Sequence, residues 1–201
     1  MKLVFPGNNT NEYLSSLCRN GELVTNLDQT ILQEVEDLLT NFRVVSPTVL
    51  RGGQPDEEAL SALQKAGVKL IVNLRHHSKA SPVAPSAYSF FRRHSDDDEI
   101  DEEKEIAERL GLRFLNISLD GINAPGFADI DRFVQLFDDA ENVPMYVHCL
   151  HGRERTGFML AAYRIKVELW TADQSYREMV QQGFDPLRTV LSDALFAYAK
   201  R

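Results

Sequence analysis

The chain has 201 residues, 43% of them hydrophobic and 26% charged, which suits one domain with a single core and excludes disorder as its dominant state. Its formal net charge of −8 excludes a broad non-specific nucleic-acid surface and a polybasic membrane-binding surface, since both need excess cations. With only Cys18 and Cys149, and no apolar run near ~20 residues, a disulfide scaffold, a multi-cysteine zinc site and an integral membrane span are excluded, leaving a cytoplasmic protein with free thiols as the expectation.

Residues 1–40 read as a polar N-terminal extension that carries one helix: Asp28 can cap a segment in which Ile31, Leu32, Val35, Leu38 and Leu39 recur at helical spacing. From residue 41 the pattern changes. Phe42 to Val45 and Thr48 to Arg51 read as short strands, Asp56 to Ala66 as a helix between Pro55 and Gly67, and Val68 to Leu74 as a buried strand. A long loop follows to about Ile100, then a helix from about Asp101 to Leu110 and a strand from Arg113 to Leu119. Asp120 to Gly126 is a loop, and Phe127 to Asp139 is amphipathic. Pro144 to His148 is a short apolar strand, and about Arg155 to Glu168 is apolar on most sides, as a central buried helix is. Trp170 to Gln182 and Leu187 to Ala199 close the chain as two further helices. This alternation predicts an α/β domain over 41–201, with a central, mostly parallel four- or five-stranded sheet flanked by helices.

The charge is concentrated. Asp96 to Glu105 holds eight acids and one lysine, so this stretch carries −7 and the other 191 residues together carry −1. The run reads as a solvated face or a helix start, where acids are favoured.

In a parallel sheet, ligands bind beyond the carboxyl ends of the strands. At that place stands His148 to Gly157, HCLHGRERTG, running from a strand end into a buried helix. A loop of this length can turn its N–H groups inward as an anion nest, which the helix N-terminus reinforces. A thiol at its base, Cys149, is then held as thiolate. Arg155 supplies a planar fork for two phosphate oxygens, Gly152 permits a conformation that a side chain would block, and Thr156 offers a hydroxyl to the sulfur. A nucleophile, an oxyanion cradle and a clamp in one loop suit phosphomonoester hydrolysis through a cysteinyl-phosphate intermediate, with the backbone of Leu150, His151, Gly152, Arg153, Glu154 and Arg155 binding phosphate.

The HC-x5-RTG pattern resembles the phosphate-binding loop of cysteine-dependent protein tyrosine and dual-specificity phosphatases. The resemblance runs from about Asn41 to Gly183. VLRGGQPDEEALSALQKAGVKLIVNLR is similar to the opening of the compact dual-specificity-like branch of that superfamily. The resemblance implies that His148 supports the loop and that an Asp some thirty residues before the Cys is the general acid, here Asp120, twenty-nine residues upstream. Asp129 and Asp131 are weaker candidates. Arg153 is in a position that, in resembling enzymes, goes with highly phosphorylated substrates. Glu154 is in a position where some lipid-phosphatase relatives carry Asp, which makes it a second candidate acid.

The expectation is therefore a monomeric phosphatase needing no metal and no cofactor, acting on a phosphorylated protein or, alternatively, on an inositol phosphate or phosphoinositide. A non-catalytic phosphate-binding module and a rhodanese-like sulfur transferase are the readings from other classes. Arg75, Lys79, Arg92 and Arg93 are available as rim cations, with Arg75 equally suited to supporting the loop. Arg51 reads as structural. His76, His77 and His94 read as loop residues rather than metal ligands, and His151 as a rim residue. Cys18 reads as inert, with a reversible disulfide to Cys149 as its alternative role.

Overall fold

Residues 18–19, 22–23, 27–77 and 93–201 are described by the structure, a computed structural model. A two-residue antiparallel pair, β1 (Cys18–Arg19) and β2 (Glu22–Leu23), precedes the domain. Helix α1 (Gln29–Leu38) begins where the Asp28 carboxylate accepts the Thr30 N–H. Strands β3 (Arg43–Ser46) and β4 (Val49–Gly52) form a hairpin. Helix α2 (Glu57–Lys65) is capped by Asp56 and ends at Gly67, whose φ is 100°. Then come β5 (Leu70–Asn73), α3 (Arg93–Arg109), β6 (Arg113–Asn116), α4 (Phe127–Gln135) and β7 (Met145–His148). Helices α5 (Glu154–Lys166), α6 (Ala172–Gln181) and α7 (Thr189–Ala199) complete the chain, with a reciprocal capping box of Thr171 and Gln174 opening α6. None of the described helices is long and apolar enough to cross a membrane.

The main sheet has five strands in the order β3-β4-β7-β5-β6, antiparallel only at β3–β4. This is the expected mostly parallel α/β architecture. Strand periodicity splits its side chains between two cores. Val49, Leu70, Val72, Met145 and Val147 face α4, α5, α6 and α7. Leu50, Ile71 and Tyr146 face α1, α2 and α3. Helix α1, assigned by sequence to the extension, buries Leu32 and Val35 in this second core, so residues 27–40 pack as part of the domain.

The parallel register aligns Gly52, His148, Asn73 and Asn116 in one row across the carboxyl ends of β4, β7, β5 and β6. Every loop that leaves this row starts within one sheet spacing of its neighbour, and this brings distant segments into one site.

The acidic run lies within α3, which starts at Arg93 rather than near Asp101. Its helical spacing turns Ile100, Glu103 and Ala107 inward, all nearly fully buried. Glu103 reaches the row of strand ends: Oε2 accepts from Gln54 Nε2 and Asn73 Nδ2, each at 2.6 Å. Its Oε1 lies 2.7 Å from His148 Nε2, an ion-pair distance without hydrogen-bond alignment. One and two turns away, Glu99 and Asp96 hold Arg75 at 2.6 and 2.5 Å, and Gln54 accepts a third bond from Arg75. Further acids of the run reach His77, just beyond β5: Asp101 at 3.1 Å and Asp97 at 3.9 Å.

Removing one partner from a buried, hydrogen-bonded charge cluster leaves the others stranded in low dielectric. Glu103→Ala is expected to lower unfolding free energy by about 3–5 kcal/mol, measured by urea denaturation. The same change at Glu102, on the exposed side of α3, should have an effect within about 0.5 kcal/mol.

Candidate active site

The Cys149–Arg155 loop leaves β7 at the centre of the row and feeds directly into α5. What shapes it is where its carbonyls go. Leu150 O accepts from Gln54 N at 3.1 Å, across from the end of β4. Gly152 O accepts from Asn41 Nδ2 at 2.7 Å and from the Arg51 guanidinium. A peptide is planar and trans, so a carbonyl held outward sends the next residue's N–H the opposite way. The N–H groups of His151 and Arg153 are thereby turned toward the inside of the loop.

Gly152 makes this possible. Its φ is 67°, in the left-handed region, and a Cβ there would overlap the Gly52 carbonyl and come within 2.9 Å of Gly53 N. The flanking strand end also needs two glycines, since a Cβ at Gly52 would run into the Tyr146 hydroxyl and one at Gly53 into the Thr40 hydroxyl and within 3.1 Å of Leu150 O.

Cys149 is buried at the base of the loop. Burial raises a thiol's pKa, but the charge of Arg155, the Thr156 hydroxyl and the backbone N–H groups of Thr156 and His151 outweigh it, so the thiol is held below its ordinary value. The Thr156 hydroxyl is itself buried and has no nitrogen or oxygen partner, which leaves the sulfur as the atom it serves. Arg155 Nη1 lies 3.5 Å from Leu74 O and 3.3 Å from Leu119 O, the carbonyls where β5 and β6 run out into loops. A half-buried guanidinium held by two neutral acceptors keeps its charge available for an anion.

His148 points to the opposite face from Cys149, stacked on Tyr146 with ring centroids 5.5 Å apart. Its Nδ1 lies 3.3 Å from Cys149 O and its Nε2 faces Glu103, so it links the acidic helix to the base of the loop.

Asp120 is on the loop after β6, and the next residue, Gly121, lies against the Arg155 side chain. The Asp120 carboxylate accepts from Ile122 N, Asn123 N and Asn123 Nδ2 at 2.7 to 2.8 Å, closing its own turn. Partial burial raises its pKa, but these three bonds and the nearby His76 lower it further, leaving the carboxyl below its usual value. Arg188 donates to Gly121 O at 2.8 Å and ties this loop to the start of α7. Asp131 is committed elsewhere, accepting from Tyr198 at 2.7 Å and Arg201 at 3.3 Å.

Of the rim cations, Arg153 is exposed with its stem against Gly183, and Arg75 is buried among acids and supports the sheet end instead. Lys79 and Arg92 lie outside the described residues, as do the side chains of Arg93, His94 and Cys18. His151 is exposed, and Glu154 occupies the first turn of α5, where a carboxylate suits the helix dipole. His76 Nδ1 lies 3.2 Å from the Ser118 hydroxyl.

Sequence reasoning missed Asn41, Gln54, Asn73 and Glu103. Glu103 had a signal, the Ile100, Glu103, Ala107 helical spacing. The other three had none, because their partners are far away in sequence.

A family model described as PTP-NADK, a DSP-PTPase phosphatase fused to NAD+ kinase, matches residues 20–190. The dual specificity protein phosphatase TpbA of Pseudomonas aeruginosa is 25% identical over 152 residues, 76% of this chain and 58% of TpbA. The match thus spans less than two thirds of that relative's length. The inositol diphosphatase DSP4 of Arabidopsis thaliana is 25% identical over 160 residues, 78% of this chain and 69% of that protein. Among solved structures, the core catalytic domain of the PP-IP phosphatase SIW14 from S. cerevisiae aligns with a TM-score of 0.57 at 19% identity, covering 77% of this chain and 83% of that one. The structure of P. aeruginosa TpbA aligns with a TM-score of 0.56 at 20% identity, covering 81% and 92%. At such identities the likeness is one of fold.

The loop geometry makes Gly152→Ala a severe change. It is expected to lose about 1–3 kcal/mol through the left-handed φ alone, and more as Gly52 is displaced. Chemical denaturation measures the loss, and inorganic phosphate should no longer protect Cys149 from alkylation in the folded variant.

Proposed function

This chain belongs to the DSP-PTPase phosphatase family, and on that premise we propose that it hydrolyses phosphomonoesters through a cysteinyl-phosphate intermediate on Cys149, as a protein tyrosine or dual-specificity phosphatase. The observation that carries the reading is the buried thiol beneath inward N–H groups, with Arg155 beside it and Thr156 facing it.

The chemistry follows from these groups. The Cys149 thiolate attacks phosphorus as the ester P–O bond breaks. The phosphoryl oxygens take the N–H groups of the loop from Leu150 to Arg155 and the Arg155 fork. The leaving oxygen takes a proton from the Asp120 carboxyl, because a bare alkoxide leaves poorly. In the second step water attacks phosphorus as Asp120 takes its proton, the S–P bond breaks, and Cys149 leaves as thiolate with the Thr156 hydroxyl donating to the sulfur. His148 supports the loop from behind. Asp120 must leave its turn with Asn123 to act, and a bound ester that covers the loop favours this by desolvating the carboxylate.

A second reading for the substrate, an inositol phosphate or phosphoinositide, is supported by the exposed Arg153 on the loop and by the name of the Arabidopsis relative. Phosphate release from a phosphotyrosyl peptide, a phosphoinositide and an inositol polyphosphate, compared side by side, separates the two.

Cys149→Ser is expected to abolish phosphate release from an aryl phosphate, and EDTA to leave it unchanged, since nucleophile, cradle and acid are all protein groups. Full activity of Cys149→Ser, or loss with EDTA, overturns the mechanism. As the acid, Asp120 must be protonated, so kcat/KM falls as pH rises through its pKa, and the lowered value places the optimum on the acidic side of neutrality. Asp120→Ala is expected to reduce kcat on alkyl phosphates about 10²–10⁴-fold and to remove that basic limb. If Glu154→Gln does this instead, Glu154 is the acid.

A further inference from the structure

Arg51 is a main-sheet residue whose buried charge neither the fold nor the mechanism accounts for. Side-chain alternation along β4 places it on the face of Val49, the face on which Cys149 is buried, and its neighbours in register are Val147 on one side and Arg43 on the other. It is 2% exposed. A guanidinium is almost never buried without a carboxylate, yet its hydrogen bonds go to Gly152 O and Gln182 Oε1, both neutral. Its Nε has no partner. Nη2 also lies under the first turn of α5, 3.9 Å from where a Gly157 Cβ would stand.

We propose that Arg51 is a positioning residue of the catalytic loop, whose guanidinium holds the Gly152 carbonyl outward from beneath and whose buried charge has the Cys149 thiolate as its counter-charge. The inference rests on Cys149 being the nucleophile.

Geometry and electrostatics both support this role. The Gly152 carbonyl is held by Arg51 and by Asn41 Nδ2, and Asn41 in turn donates to Gln182 O at 3.2 Å. Arg51 and Asn41 thus form one clamp between β4, the turn before β3 and the end of α6, and what they grip is the one peptide of the loop with a left-handed φ. The Arg153 N–H points inward only while that grip holds. Burial lowers the Arg51 pKa to about 10, and among the groups that offset this, Cys149 comes first, ahead of Glu178 from α6 and the Tyr146 phenol, with Arg43 opposing. Arg155 is the leading cation for the Cys149 thiolate, and Arg51 adds a second positive charge on the same face of the sheet. Arg51 does not touch substrate, so its charge is not diluted by water when the site is open.

The experiment reads the thiol rather than turnover. Iodoacetamide alkylation of Cys149 is followed against pH, with and without inorganic phosphate, in the full chain of wild type, Arg51→Met and Arg51→Lys, with folding checked by thermal melting. Wild type is expected to alkylate with a midpoint below the ordinary thiol value and to be protected by phosphate. If phosphate does not protect the wild type, the reading of the site fails, independently of Arg51. Arg51→Met is expected to raise the midpoint by about one pH unit and to weaken phosphate protection at least tenfold. Arg51→Lys, which keeps the charge without the planar fork, should keep the wild-type midpoint while phosphate protection remains weakened about fivefold or more. A folded Arg51→Met with wild-type midpoint and wild-type protection overturns the proposal. If Arg51→Met does not fold, Arg51→Lys decides: unchanged phosphate protection refutes the positioning role, and a raised midpoint refutes the role of the charge.

Discussion

Peptide planarity is the constraint on which the site depends. The loop after β7 can present N–H groups to an anion only if its carbonyls are satisfied on the outside, and a buried carbonyl without a donor is costly. The donors come from the chain before and after β4: Asn41 from the turn before the sheet, Arg51 from the last turn of the strand, and Gln54 N just beyond it. The close approach this requires is why backbone meets backbone there, Gly152 against Gly52 and Gly53. The pocket is therefore a product of the β4–β7 pairing, and the loop's own residues supply only part of it.

A second layer supports the first. The sheet row places the polar side chains of His148, Asn73 and Asn116 at the edge of an apolar core, and these need partners. Helix α3 supplies them. Glu103 joins Gln54, Asn73 and His148, while Asp96 and Glu99 neutralise Arg75. These acids of the run thus close the end of the sheet from the side opposite Cys149. The net charge of −8 is consistent with an anion site for this reason: much of the acidic run is paired with Arg75, His77 and His148, while Arg51 and Arg155 engage neutral oxygens.

The candidate acid shows the same economy of geometry. Asp120 is used twice in two arrangements of one loop. With the site open its carboxylate closes a turn with Asn123, and this stabilises the loop where Arg188 and Arg155 flank it. In the proposed reaction the same oxygens must exchange that turn for a leaving group. The loop is exposed and contributes little to either core, so such an exchange disturbs only a few hydrogen bonds.

Local information was enough for much of this protein. Strand and helix periods, the Asp28 and Asp56 caps and the Gly67 stop are written in short windows, because they depend on neighbours within a turn or two. The HC-x5-RTG segment is equally local, since nucleophile, nest and clamp must fit into a single strand–loop–helix connection. What the sequence could not determine is which distant groups meet that segment. By sequence Arg75 suits ligand and scaffold equally, and it is the docking of α3, with Asp96 and Glu99, that makes it scaffold. The acidic run could not be divided into its buried and solvated members until its helix was docked. Arg51 and Asn41 are 101 and 111 residues from the carbonyl they hold. Pairings of that span are decided by sheet order and register, which arise from the burial of two cores at once, and no window of sequence contains them.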